Sequence, residues 1–141
     1  MDFRNNAPGY RGYIGSRPYS SGRVPQHVQG LVVRDYCDRM ALPFLLSAVE
    51  FAMPHCYLTL EQLLEEELPY IDGIVMYSIY MLPEDKGKRL LTYERLLEAN
   101  TSLHGALEQL SIGCRADIDH LEMTLLIEQA THLTPNEIPL T

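Results

Sequence analysis

Strand-like and helix-like stretches alternate along the whole chain, and one of them, Gly73–Ser78, is β-branched, aromatic and free of charge. Between the strand-like runs, leucines recur every three or four positions with charged residues on the opposite side. Together these features predict a single small α/β domain, a four-stranded parallel sheet with helices on both faces. A chain of 141 residues suits one such core without disulfide or metal support. The expected division is a flexible N-terminal segment over 1–9, the α/β domain over 10–133 and a tail over 134–141.

The elements are justified in order. Tyr13-Ile14-Gly15-Ser16 is a short extended run closed by Arg17-Pro18, and Tyr19–Val24 reads as a loop. Pro25 suits a first helical turn, after which Val28, Leu31, Val32 and Tyr36 recur at helical spacing. Pro43–Val49 is nearly continuously apolar, as in a strand covered on both faces. Leu60, Leu63, Leu64 and Leu68 form a helical stripe opposite Glu61, Glu65 and Glu66, and Pro69 stops it. Ile71–Tyr80 supplies the central strand. A helix over Lys86–Ala99 on Leu90, Tyr93 and Leu97, a fourth strand over Thr101–Leu107, and a last helix over Ala116–His132 on Ile118, Leu121 and Leu125 complete the series. In such sheets ligands gather at the carboxyl ends of the strands.

Composition narrows the partners. The formal net charge of −8, with runs such as Glu65-Glu66-Glu67, repels a phosphate backbone, so nucleic acid is not expected as a partner. No apolar run approaches a membrane span and the N-terminus lacks an export pattern, so a cytoplasmic protein with no membrane contact is expected. Cys37, Cys56 and Cys114 are odd in number, widely spaced, and expected to be reduced thiols. The histidines, His27, His55, His104, His120 and His132, show no metal-binding spacing, so no metal is expected. Neither a Walker loop nor a GxGxxG motif occurs, so no cofactor is expected. The last two helices carry enough leucine, isoleucine and methionine to predict self-association, most simply a dimer.

Two resemblances bear on function. The stretch GYRGYIGSRP…RVPQHVQGLVVRDYC, continued by LLSAVEFAMPHCYLTLEQLL, DGIVMYSIYMLP and LHGALE, resembles the bacterial sporadic carbohydrate cluster proteins over roughly Gly9 to Leu110. That resemblance implies a role in surface polysaccharide, lipopolysaccharide or sugar-acid synthesis. More distantly, GYIGS, a glutamine-bearing first helix ending in Tyr36-Cys37, DGIVMYS and HGALE are similar in succession to the serine recombinase (resolvase) catalytic domain. This implies a flavodoxin-like, resolvase-like sheet. The recombinase signature has an arginine between Gly-Tyr and its nucleophilic serine, whereas Ser16 comes one residue early and Arg17 follows it. Leu82-Pro83-Glu84-Asp85 stands where paired arginines fall in that family, and no DNA-binding domain is expected after the sheet.

Candidate site residues follow from the strand ends. Ser16, Arg17 and Arg23 bracket the loop that opens the first helix, where free N–H groups and the helix dipole favour an anion. Glu50 and Glu108 follow two strands on the same edge and are candidate acid–base carboxylates, with Ser16 and Tyr57 as further catalytic candidates. Arg17, Arg23, His55, Tyr77 and Ser78 are the candidate substrate-binding groups. On these grounds the expected ligand is an anionic sugar or sugar phosphate, in an enzyme or accessory of cell-surface glycan synthesis. A noncatalytic scaffold for a partner enzyme is the alternative, and a degenerate recombinase-like DNA protein ranks last on charge.

Overall fold

A computed structural model describes residues 8–15 and 24–131, with side chains described to residue 127. The domain is α/β, as the alternation predicts, and its sheet has five strands in the order β2-β1-β3-β4-β5. The strands are β1 (Tyr10–Gly15), β2 (Phe44–Glu50), β3 (Gly73–Met76), β4 (Ser102–Gly105) and β5 (Leu110–Ile112). The helices are α1 (Gln26–Arg39), α2 (Leu58–Gln62), α3 (Lys86–Glu98) and α4 (Arg115–Thr131). β1 to β4 are mutually parallel. β5 runs antiparallel to β4, pairing Leu103 with Ile112 and Gly105 with Leu110.

The sheet is therefore mixed, not four-stranded and parallel. The fifth strand went unseen because it is three residues long and follows a tight turn, Ala106–Gln109, in which Gln109 takes the left-handed φ of 56°. β1 also begins earlier than expected. Its first residues, Tyr10-Arg11-Gly12, are polar or small, yet a parallel ladder is bought by backbone groups, and Tyr10 pairs with Phe44 on one side and Gly73 on the other. β3 is central and wholly buried, in keeping with its uncharged sequence.

Right-handed crossovers send α1 to one face of the sheet and α2 and α3 to the other, because the strand order reverses at β1. The latter pair touch through Arg95 and Glu61, 3.7 Å apart. α4 docks on α3 through a two-pronged Arg89–Glu122 pair, which also accepts the Tyr93 hydroxyl at 2.6 Å. The face that α1 buries is rotated from the expected one: Gln29, Val33, Tyr36 and Cys37 point inward while Leu31 is 61% exposed. Tyr36 is common to both faces, and the amide of Gln29 is passed over by a hydrophobicity count. The stripe of leucines after Tyr57 is helical only as far as Gln62, then widens into a π turn over Leu63–Glu67 and tightens into a 3-10 turn at Leu68–Tyr70. Widening the turn buries both Leu63 and Leu64, which are neighbours in sequence.

One polar chain runs through the core. The Tyr36 hydroxyl lies 2.9 Å from His104 Nδ1, and His104 Nε2 lies 3.0 Å from Ser102 Oγ. Burial pushes the His104 imidazole down to about 4. Between that value and the ordinary 6.5 the unfolded chain binds a proton that the folded one refuses, so stability is full above pH 6.5 and falls as the pH is lowered toward 4. Urea denaturation across this window should show a loss of about 2–3 kcal/mol that a His104→Gln variant lacks. Equal slopes for both proteins would remove His104 as the cause.

Candidate functional site

The strand order reverses at β1, so the crevice between the carboxyl ends of β1 and β3 is the natural ligand position in this topology. At this edge lie Phe51–Tyr57 after β2, Tyr77–Asp85 after β3 and Ala106–Gln109 after β4. The first segment in chain order, residues 16–23 between β1 and α1, contains Ser16, Arg17 and Arg23 and lies outside the described residues.

Both stems of that first segment are held by one side chain. Gln29, with no solvent exposure, accepts from Gly15 N at 3.1 Å and donates to Gly15 O and, at 2.8 Å, to Val24 O. An amide has a donor and an acceptor side by side, so it closes a two-point ladder on Gly15 as a further strand would. The end of β1 and the start of α1 are thus pinned together. Among the described residues the N-terminus of α1 carries no side-chain cap, and its first turn has no acidic residue. Free N–H groups and the positive end of the helix dipole are the elements of an anion site.

The helix that follows β2 is the opposite case. Glu50, 2% exposed at the end of β2, accepts from Thr59 N at 3.0 Å, Leu60 N at 3.2 Å and Phe51 N at 3.1 Å. It also takes the Tyr13 hydroxyl at 2.6 Å. Burial alone would raise its pKa, but the Tyr13 hydroxyl and the three backbone donors outweigh burial and hold the carboxyl below the usual 4.5. An ionised carboxylate so fully engaged has no free lone pair for a substrate proton. The internal anion occupies the N-terminus of α2, and Glu50 anchors the β2–α2 loop.

Glu108 is likewise engaged. It accepts the Ser78 hydroxyl at 2.6 Å and Ile79 N at 3.0 Å, tying the β4–β5 turn to the end of β3. Ser78 is 2% exposed, and its oxygen also accepts from Tyr80 N at 3.2 Å. Tyr77 is buried beside it, and burial followed by the charge of Glu108 raises its pKa. Glu50 and Glu108 share the carboxyl edge, but β2 and β4 are three strand spacings apart, about 14 Å. They are not brought together as an acid–base pair.

His55 and Tyr57 converge instead on Glu84. His55 Nδ1 lies 3.6 Å from the Glu84 carboxylate with both side chains exposed, and the Tyr57 hydroxyl accepts from Glu84 N at 3.3 Å. His55 holds a left-handed φ of 57°, a strained conformation for a non-glycine residue. Among the described residues no three His, Cys, Asp or Glu side chains form a metal site. Cys37 and Cys114 are free thiols, and the Cys56 thiol donates to Glu50 at 3.6 Å. No described helix is long and apolar enough to cross a membrane. The residues missed from the sequence are Tyr13 and Gln29. The glutamine lay inside the recombinase-like succession, whereas nothing in the sequence distinguishes Tyr13 from any other buried tyrosine.

No known protein family and no curated protein matches the chain. Two solved structures share its fold. The N-terminal catalytic domain of TP901-1 integrase is 12% identical, with a TM-score of 0.62 over 86% of this chain and 95% of that one. A resolvase family site-specific recombinase from Streptococcus pneumoniae is 9% identical, with a TM-score of 0.60 over 86% and 89%. The chain therefore has the resolvase-like α/β fold.

This likeness corrects the carbohydrate reading. The stretches GYRGYIGSRP and DGIVMYSIYMLP, which resemble carbohydrate cluster proteins and imply a polysaccharide, lipopolysaccharide or sugar-acid role, supply β1 and β3, strands of a sheet whose fold is shared with the two recombinase domains. They carry a fold, and the expected anionic sugar or sugar phosphate partner and its carbohydrate pathway fall with that reading. The exclusion of nucleic acid is corrected as well, since both neighbours are recombinases and net charge is a sum over the whole surface that does not fix the sign of one crevice.

The geometry of Glu50 makes its own test. Glu50→Gln turns an amide N–H₂ toward backbone donors and should cost about 2–3 kcal/mol at neutral pH. Because the folded pKa is depressed, the wild type loses its advantage as the pH drops below 4.5, and the gap between the two proteins should close in acid. Urea denaturation at neutral and acid pH reads both, and a gap that stays constant would mean the carboxylate is not ionised in the fold.

Proposed function

We propose that this chain is a DNA-acting domain of the serine recombinase fold, in which Ser16 is the nucleophile for phosphodiester transfer. The carrying observation is the Gln29 clamp, which fixes the end of β1 beside an uncapped helix N-terminus. Ser16 is the next residue after Gly15, about 3.8 Å along the chain. A phosphodiester oxygen at the N-terminus of α1 would meet free N–H groups, with Arg17 and Arg23 available from the same segment to pair with its charge. Attack by the Ser16 hydroxyl forms a serine–phosphate ester and breaks one P–O bond to deoxyribose. The serine proton passes to solvent and the displaced oxygen takes one up as a strand hydroxyl. Neither Glu50 nor Glu108 serves as base in this scheme, because both are engaged in anchoring loops. A cytoplasmic setting follows from the DNA substrate.

The departures from the recombinase signature, a serine one residue early and no arginine pair after β3, set a narrow test. The protein is incubated with a pool of random duplex DNA and run on a denaturing gel for a covalent protein–DNA band. Wild type should give the band, Ser16→Ala should abolish it while still retaining DNA, and Gln29→Leu should reduce it by about tenfold through a loosened stem. A band that survives Ser16→Ala, or a wild type that neither retains DNA nor forms a band, overturns the reading.

A further inference from the structure

The sheet has a second polar recess, at its amino edge and thus remote from the crevice discussed above. It has a volume of about 310 Å³ and is bordered by Tyr10 at the start of β1, Asp72 ahead of β3, and Asn100 and Ser102 between α3 and β4. This size is at the lower end of the range for small-molecule pockets.

The polar groups here are of two kinds. The backbone of Asp72 is fixed on both sides, its N–H donating to Gly9 O at 2.8 Å and its carbonyl accepting from Ser102 N at 3.1 Å. Its carboxylate has no partner among the described residues and is the one charged group bordering the recess. Tyr10 stands at the end of the polar chain through the core. The Tyr10 hydroxyl lies 3.3 Å from Ser102 Oγ, which lies 3.0 Å from His104 Nε2, and His104 Nδ1 lies 2.9 Å from the Tyr36 hydroxyl. Beyond Ser102, the Tyr10 hydroxyl has no hydrogen-bond partner among the described residues. The Thr101 hydroxyl turns away to Leu96 O at 2.8 Å.

We propose that this recess binds a small primary ammonium compound that also carries an acceptor oxygen, the ammonium on Asp72 and the oxygen on the Tyr10 hydroxyl. An anion is disfavoured by the bare carboxylate. A divalent metal ion is disfavoured because it demands about six oxygen ligands, and the recess offers one carboxylate. An amino alcohol or a free amino acid meets both groups at once. A buried histidine bridging Ser102 and Tyr36 then has a positional role, since it holds in place the Ser102 hydroxyl that meets Tyr10.

The test is a titration of the full-length, isotope-labelled protein followed by amide NMR, with ethanolamine and L-lysine as ammonium probes and magnesium chloride and inorganic phosphate as the other arms. The ammonium probes should shift the Asn100, Ser102 and Gly113 amides saturably. Asp72→Asn should weaken this by about tenfold or more, and Tyr10→Phe by a smaller factor, with both variants checked for an intact fold by their amide spectra. Should Asp72→Asn not fold, Tyr10→Phe alone decides: affinity equal to wild type overturns the proposal. So does magnesium or phosphate moving these amides where the ammonium probes do not, or no saturable shift from either ammonium probe. Because the DNA reading is tested by Ser16 chemistry at the opposite edge, failure of one leaves the other standing.

Discussion

A carboxamide with no access to water cannot be left half-paired, and that constraint organises the carboxyl edge of this domain's sheet. Gln29 is buried completely, so each of its polar atoms must find a protein partner at a cost of about 1–3 kcal/mol for any that does not. The partners it finds are the last residue of β1 and the residue that leads into α1. Strand end and helix start thereby become one rigid corner, and the segment 16–23 is attached at both ends to fixed points. The same desolvation logic operates at Glu50, where a buried charge is tolerable only because a hydroxyl and three backbone N–H groups surround it.

These two residues divide the helix N-termini between them. α2 receives its anion from inside the protein, since Glu50 supplies the charge that its orphan N–H groups favour. α3 is capped by Asp85, whose carboxylate accepts from Lys88 N at 2.9 Å. α4 carries Asp117 in its first turn, a carboxylate that reaches back to accept from Gly113 N and Cys114 N just ahead of the helix. Only α1, among the described residues, begins without a side-chain carboxylate. The helix adjoining the topological switch point is thus the one whose dipole remains available to an outside anion. That difference comes from residue choice at four positions, and it selects one corner of the sheet over three others.

Much of the frame was legible because periodicity reports burial. The uncharged run at Gly73–Ser78 could only be a strand covered on both faces, and β3 is central. The last helix buries Leu121 as its spacing predicted. What escaped was whatever depends on backbone pairing or on polar burial. Tyr10-Arg11-Gly12 looks like a loop until Phe44 and Gly73 pair with it, and Leu110–Ile112 is too short to announce itself. Within the site, residue type pointed correctly to charged groups at strand ends but not to their partners. Glu50 and Glu108 read as free acid–base groups because the donors that consume them, Thr59 N and Ser78, belong to other elements. His104 gave no signal, for a buried and an exposed histidine look alike in sequence.

The charge argument failed for a related reason, and its failure is instructive about where an acidic protein can meet a phosphate. A formal charge of −8 sets the far field and slows the approach of a polyanion, most strongly at low salt. It does not set the potential within a crevice a few ångströms across, where paired carboxylates contribute little. Glu122 is matched by Arg89 and Glu94 by Arg115, so these acids act on their own partners. Glu67 is matched by Arg11. Glu50 is neutralised locally by hydrogen-bond donors and by the dipole it caps. The segment after β1, by contrast, contains Arg17 and Arg23 and no acidic residue between 16 and 23. A chain can therefore be acidic in sum and basic over one stretch of its sequence, and under the proposed DNA reading association would be slow at low ionic strength and less hindered as added salt screens the far field. That is the reverse of the salt dependence of a basic DNA-binding surface, which weakens as salt rises.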